Sequence, residues 1–222
     1  MRRSYLSFVA LMAAVLAANP VVGRGVSEPG IYYIIAPTGA IYSSPGGESP
    51  EMRLSFRDRD EVLENGGSWS KVQTTSGTTG YMRSDELSNI WMRISKRHGY
   101  VYVYRGEKLI RKFAADFGYN KTDDKIRQGS REEPDHWRTP EGRFYVTDKN
   151  PDSQYYKALV LNYPTPEDAL RGVDSGLISK SEQAEIIKAS MQHETPPMDT
   201  ALGGWIEVHG EGTGGRIDWT HG

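Results

Sequence analysis

Between residues 31 and 87 the chain never runs far before a turn-forming cluster stops it. Pro37, Ser44-Pro45-Gly46-Gly47, Asn65-Gly66-Gly67 and Ser76-Gly77 separate the β-branched and aromatic stretches 31–35, 40–42, 61–63, 69–73 and 79–82. Proline presets φ and glycine accepts positive φ, so each cluster reads as a chain reversal and each stretch between as a strand. About five short strands in so little chain leave no room for a helical crossover and predict a small antiparallel β-barrel.

Ser88-Asn89 forms a short joint, and a second β-rich region follows. Stretches 91–95, 100–105 and 107–113 alternate apolar and polar residues, with Arg105-Gly106-Glu107 placed as a hairpin turn. Residues 120–140 are polar and rich in turn formers, as in a long surface loop, and 144–148 and 158–161 resume strand character. Two short helices are predicted next. Thr165-Pro166-Glu167-Asp168 supplies an N-cap, a proline in the first turn and acidic residues at the positive end of the dipole, with Gly176 near the stop. Ser179-Lys180-Ser181-Glu182 fits a capping box, and Ala184, Ile187 and Met191 follow at helical spacing. Residues 205–208 are predicted to form a buried strand that delivers His209 to its end. The fold class expected is mainly β with short helices.

Composition bounds the partners. The 222 residues carry 27 Lys+Arg against 29 Asp+Glu, so the chain as a whole has no basic field to gather nucleic acid or an anionic membrane. Arg2 and Arg3 followed by the apolar run 5–18 have the layout of a secretory signal, and the run is too short to span a bilayer. The signal is placed at 1–23, with small residues for cleavage at Ala17-Ala18 and at Val21-Val22-Gly23; Arg2-Arg3 also fits a twin-arginine signal. An exported protein of the periplasm or cell envelope is expected, with no membrane attachment after cleavage. The chain has no cysteine, which excludes a disulfide framework and a lipid anchor on cysteine.

The candidate chemistry lies near the C-terminal end of the sequence, in Trp205-Ile206-Glu207-Val208-His209-Gly210 and Asp218-Trp219-Thr220-His221-Gly222. A histidine at a strand end can act as a base when its other nitrogen is held, and adjacent glycine lets a substrate approach the backbone closely. Rival readings are weaker. Residues 210–215 satisfy G-x-G-x-x-G, but no helix pattern follows, as a dinucleotide site requires. His193, His209 and His221 are spaced too widely for a metal motif, and Pro196-Pro197 spoils any H-E-x-x-H, so no metal and no cofactor is predicted. Glu132-Glu133 reads as a solvated turn rather than a carboxylate pair facing across a substrate.

Two resemblances organise these observations. Ile41-Tyr42-Ser43-Ser44-Pro45, Asp60-Glu61-Val62, Ser68-Trp69-Ser70-Lys71-Val72 and Thr79-Gly80-Tyr81-Met82 resemble, in order and content, a bacterial SH3 domain over 30–88. His209-Gly210, the glycine-rich loop after it, Asp218-Trp219-Thr220-His221-Gly222 and Thr139-Pro140-Glu141-Gly142-Arg143-Phe144 together resemble the YkuD-type L,D-transpeptidase catalytic domain over 90–222. That resemblance implies a β-sandwich with a Cys/His acyl-enzyme acting on peptidoglycan tetrapeptide stems. It assigns His209, His221 and Gly222 to catalysis, His209 being the general base, and Gly210 and Thr220 to the substrate. The family pattern sets its nucleophilic cysteine directly after Gly222, where no cysteine stands in these residues. The expectation is a domain cut just before its nucleophile and inactive as it stands, through a true stop, a selenocysteine codon read as a stop, or a partial sequence. The alternative is a non-catalytic peptidoglycan-binding protein.

Overall fold

The computed structural model describes residues 28–210 and Thr220; the expected signal at 1–23, most of the glycine-rich loop, His221 and Gly222 lie outside the described residues. The fold is mainly β, with several sheets and two short α-helices, as the sequence predicts. The described residues group into two compact units, 28–94 with 101–113, and 95–100 with 114–210 and Thr220.

The first unit begins with β1 (Gly30–Ile34), β2 (Thr38–Ile41), β3 (Met52–Ser55), β4 (Arg59–Gly66), β5 (Trp69–Thr74), β6 (Thr79–Arg83) and β7 (Leu87–Ser88). Five of them form an antiparallel sheet in the order β6-β5-β4-β1-β7, while β2 and β3 pair separately. No continuous ladder closes these strands into the barrel that the turn spacing suggests. The two sheets are tied where Tyr42 and Tyr81 exchange backbone hydrogen bonds of 2.8 Å. Alternation does the rest: along β5 every second residue, Ser70, Val72 and Thr74, is buried. Tyr32, Ile34, Ile41, Val62, Val72, Met82 and Leu87 make the core, with Met52 and Leu54 packed on it. Each fully buried side chain of this size contributes about 1.5–3 kcal/mol. Trp69 and Tyr81 are half-buried, Trp69 meeting Tyr42 edge-on at 5.4 Å.

A three-stranded sheet follows, ordered β10-β9-β8, from β8 (Ile90–Ser95), β9 (Tyr100–Arg105) and β10 (Lys108–Ala114). The turn between β9 and β10 is the predicted one, with Gly106 at φ +55°. Val101, Val103 and Phe113 are buried on one face of this sheet.

In the second unit, 120–140 contains one 3₁₀ turn, Pro134–His136, and is otherwise held by side chains rather than by a ladder. Arg138, only 9% exposed, is the hub: its guanidinium donates to the Asp135 carboxylate at 2.5 Å and to the carbonyl oxygens of Asp135 at 2.8 Å and Asp124 at 3.2 Å. The sheet of this unit runs β11 (Val146–Ser153), β12 (Tyr156–Leu161), β13 (Glu207–His209), all antiparallel. Between β12 and β13 come α1 (Pro166–Asp174) and α2 (Lys180–Gln192). Both helices start with the predicted capping boxes, Thr165 with Asp168 and Ser179 with Glu182. Ala169, Ile178, Ile186 and Leu202 form the core beneath them. Leu161, Tyr163 and Ile206 form a second cluster, in which the Tyr163 hydroxyl donates to the Leu202 carbonyl at 3.1 Å.

Two expectations shift. The strand predicted at 205–208 is Glu207–His209, because Trp205 takes φ +55° and stays 62% exposed. On α2, Ile187 and Met191 face outward, and Ile186 and Ala189 are the buried positions.

Candidate active site

β13 is only three residues long, and its register on β12 fixes what its end presents. Ala158 faces His209, Leu159 faces Val208 and Val160 faces Glu207 across the ladder, and the Gly210 N–H continues the pairing to the Lys157 carbonyl at 3.0 Å. Because β12 supplies buried Ala158, Val160 and Leu161, the edge residue His209 rests on a rigid strand rather than on a loop. Among the described residues two contacts orient its ring. Nδ1 lies 2.9 Å from the Gly210 carbonyl oxygen, and the ring stacks on Tyr155 at 4.5 Å between centroids with 24° between planes. A carbonyl oxygen can only accept, so in the neutral imidazole the proton sits on Nδ1 and the Nε2 lone pair is left as the basic end. The Tyr155 face restrains ring rotation, an interaction worth about 0.5–1.5 kcal/mol. Burial pushes the Glu207 carboxyl up, and the neighbouring His209 pulls it partly back. Gly210 is buried against Tyr156, whose Cδ1 would lie 3.2 Å from an added Cβ.

The second predicted segment, around Thr220, is anchored by backbone. The Thr220 N–H donates to the Phe117 carbonyl at 2.8 Å, and Thr220 bridges Gly118 in parallel. Gly118 in turn donates its N–H to Thr139 Oγ1 at 2.9 Å. An added Cβ on Gly118 would sit 2.6 Å from the Trp137 carbonyl oxygen and 2.8 Å from the Arg138 Cα, so this crossing needs glycine. Thr139 and Thr220, from two motifs distant in sequence, are therefore linked through one pair of residues, Phe117 and Gly118. Lys96 steadies the same segment: its buried ammonium pairs with Glu141 at 2.7 Å and donates to the carbonyl oxygens of Asp123 at 2.6 Å and Thr139 at 3.2 Å.

The profile of the YkuD family, the L,D-transpeptidase catalytic domain, matches residues 89–222. The chain belongs to this family. No curated protein matches it. The YkuD match takes in both segments just described, and with them the wall-directed L,D-transpeptidase type of enzyme that acts on peptidoglycan stem peptides.

Of the residues that the sequence offers for the YkuD site, His209, Gly210 and Thr220 are described, and His221 and Gly222 lie outside the described residues. His193, once a member of the possible histidine set, is the left-handed C-cap of α2 at φ +59°, with its ring edge-on to Tyr145. Among the described residues no three His, Cys, Asp or Glu side chains gather as metal ligands. Tyr155, Phe117, Gly118 and Lys96 were not picked out from the sequence. Only Gly118 carries a signal there, a glycine within an otherwise strand-like stretch, which marks a close backbone approach.

Proposed function

We propose that this protein is an exported L,D-transpeptidase-type enzyme of the cell envelope, acting on the tetrapeptide stem of peptidoglycan through a cysteine acyl-enzyme. The observation that carries the reading is the YkuD match over 89–222, with His209 fixed at a strand end by the Gly210 carbonyl. In this reading 1–23 is the export signal and 30–88 is an SH3-like domain that accompanies the catalytic domain. His209 is the general base. Its Nε2 takes the thiol proton, and the thiolate attacks the carbonyl carbon of the third stem residue. Backbone N–H groups around Thr220-His221-Gly222 stabilise the oxyanion. The C–N bond to the terminal D-Ala breaks, that amine leaves with the proton carried by His209, and the thioester passes to an acceptor amine, which gives its proton back to His209. Water in place of the amine makes the outcome a peptidase. The family pattern puts the sulfur directly after Gly222, and the 222 residues contain no cysteine, so by themselves they predict no acyl-enzyme.

The test begins with the coding sequence past codon 222 and ends with purified proteins. The product of a frame that continues with a cysteine or selenocysteine should release D-Ala from muropeptide tetrapeptides and show an acyl adduct by intact mass. His209→Ala should lower the rate by about two to four orders of magnitude. The 222-residue chain should bind the stem without cutting it. A continued frame that carries a nucleophile yet gives neither D-Ala nor adduct defeats the enzyme reading; stem binding without turnover from every form makes the protein a non-catalytic wall binder.

A further inference from the structure

β13 sorts its side chains by alternation. Ile206 and Val208 belong to the cluster of Leu161 and Tyr163, so Glu207 and His209 project from the opposite side of the strand. The register agrees: Glu207 faces Val160 and His209 faces Ala158, alternate residues of β12 that share a side. The proposed general base therefore has a carboxylate beside it, on its own strand and on its own face.

The packing does not account for that carboxylate. Glu207 stands between two apolar residues of a sheet strand and is half-buried. An acid so placed ordinarily finds a cation or a set of donors. In the same unit Asp135 pairs with Arg138, Asp168 with Arg171 and Glu141 with Lys96. Glu207 has no ion pair and no hydrogen-bond donor on its carboxylate among the described residues, and the charge that acts on it is that of His209. Lys157 is turned elsewhere: it stands opposite Gly210, on the other side of the sheet from Ala158, with its ammonium 5.5 Å from the centroid of the Tyr156 ring. Nor does Glu207 orient the base. The His209 ring is held by the Gly210 carbonyl and by Tyr155, and no hydrogen bond joins it to Glu207.

We propose that Glu207 receives the acceptor, holding a substrate's primary ammonium against His209 and so favouring transfer to a cationic amine over hydrolysis; this rests on the transpeptidase reading above. An aliphatic amine, with an ordinary pKa of about 10.4, arrives as ammonium near neutral pH. Residues two apart on a strand are separated by about 7 Å, a gap that one ammonium spans with contacts of about 2.8 Å to a carboxylate oxygen and about 3 Å to an imidazole nitrogen. Water brings no charge for Glu207 to hold. In the transfer the ammonium sheds two protons, one to Nε2 of His209 and one to solvent. The C–N bond forms as the thioester C–S bond breaks, and the sulfur leaves as thiolate beside the imidazolium.

The experiment titrates the 222-residue chain with two probes, Nα-acetyl-lysine methylamide, whose ε-ammonium is free, and its Nε-acetylated analogue. Binding is followed through the amide signals of Glu207 and His209 and the ring signals of His209. The ammonium probe should shift these signals with a Kd of about millimolar, weaken as salt is added, and lose at least about fivefold in affinity in Glu207→Gln. The acetylated probe should leave them in place. Glu207→Asp, which keeps the charge on a shorter stem, should retain intermediate affinity. The contrast between the probes on the parent chain needs no variant, so it decides even if a variant fails to fold. Equal responses to the two probes, no response to the ammonium, or a response that survives Glu207→Gln overturns the proposal. A tetrapeptide stem with its side-chain amine acetylated, titrated in parallel, tests the reading beneath it. Failure of that stem to bind strikes the transpeptidase reading, whereas stem binding without ammonium selectivity strikes only the role of Glu207.

Discussion

Asp60 is a carboxyl group in the wrong place for stability. It sits in β4 opposite Tyr32 and Thr74, is 2% exposed, and its Oδ2 has no hydrogen-bond partner. Burial, and secondarily the nearby Asp58 carboxylate, raise its pKa from an ordinary 3.8 to about 6. A carboxyl whose folded pKa is raised favours the protonated folded state. Its ionisation therefore costs nothing below about pH 4 and costs the full amount above about pH 6, so stability falls as pH rises through that window. Moving from 3.8 to about 6 corresponds to about 3 kcal/mol at neutral pH. Asp60→Asn removes the charge and leaves an amide donor of similar shape, whose own burial costs about 1 kcal/mol at every pH. The variant should then be about 2 kcal/mol more stable than the parent at pH 7.5 and about 1 kcal/mol less stable at pH 4. Urea unfolding of both proteins, followed through the amide signals of β4 and β5 at several pH values, measures the difference. Its change with pH is the quantity at stake. A gap that stays constant to within about 0.5 kcal/mol from pH 4 to 7.5 would refute the argument that desolvation of Asp60 sets this cost.

Lys125 offers the mirror-image case: at 3% exposure, burial and then the Arg138 charge pull its pKa down to about 8. Its cost is present below pH 8 and fades by about 10.5, so Lys125→Met should stabilise by up to about 3 kcal/mol at pH 7 and lose that advantage in alkaline urea melts. Ser179→Ala removes the hydroxyl that accepts from the Glu182 N–H at 3.2 Å and should lower stability by about 1 kcal/mol, with amide exchange rising first in the opening turn of α2. At pH 8, ¹⁵N chemical shifts should find the neutral His209 ring protonated on Nδ1; an Nε2–H tautomer would contradict the bond to the Gly210 carbonyl.

The strands were legible where turn chemistry and alternation agreed. Gly66-Gly67 closes the β4–β5 hairpin, with Gly67 at φ +82° and its N–H on Asn65 Oδ1 at 2.9 Å, and both capping boxes formed from their own four-residue signals. Closure of the first strands was not legible. Strand count and turn spacing are local quantities, whereas a closed barrel depends on which edges find each other, and here β2 pairs with Met52-Arg53-Leu54-Ser55, a strand the turn-rich stretch before it had hidden. The end of the predicted strand 205–208 failed for a similar reason. Its alternation fits two registers, and the choice falls to the Trp205 N–H, which points at Met198 Sδ at 3.2 Å and takes Trp205 out of the ladder.

The candidate site shows the same division more sharply. His209-Gly210 and the Thr220 segment could be picked from the sequence because their motifs resemble those of the YkuD domain; the contacts that hold them, Gly210 against Tyr156 and the Thr220 N–H on the Phe117 carbonyl, join residues far apart in the chain. The residues that give those segments their geometry could not be. Tyr155 meets His209 only because β13 folds back on β12 after both helices, and Lys96 reaches Glu141 across the long loop. Neither residue type at either position carries a pattern of its own. The basic outer face of β8–β10 was concealed for a different reason. Net charge is a sum over the chain, and the stretch 90–114, at +6, disappears into a total of −2 unless the count is taken segment by segment. A polyelectrolyte responds to the field within about a Debye length, about 8–10 Å at physiological salt, so the local count is the physically relevant one. On that scale the outer face of β8–β10, with Arg93, Lys108 and Lys112 beside the stacked Trp91 and Tyr104 rings, is cationic and aromatic.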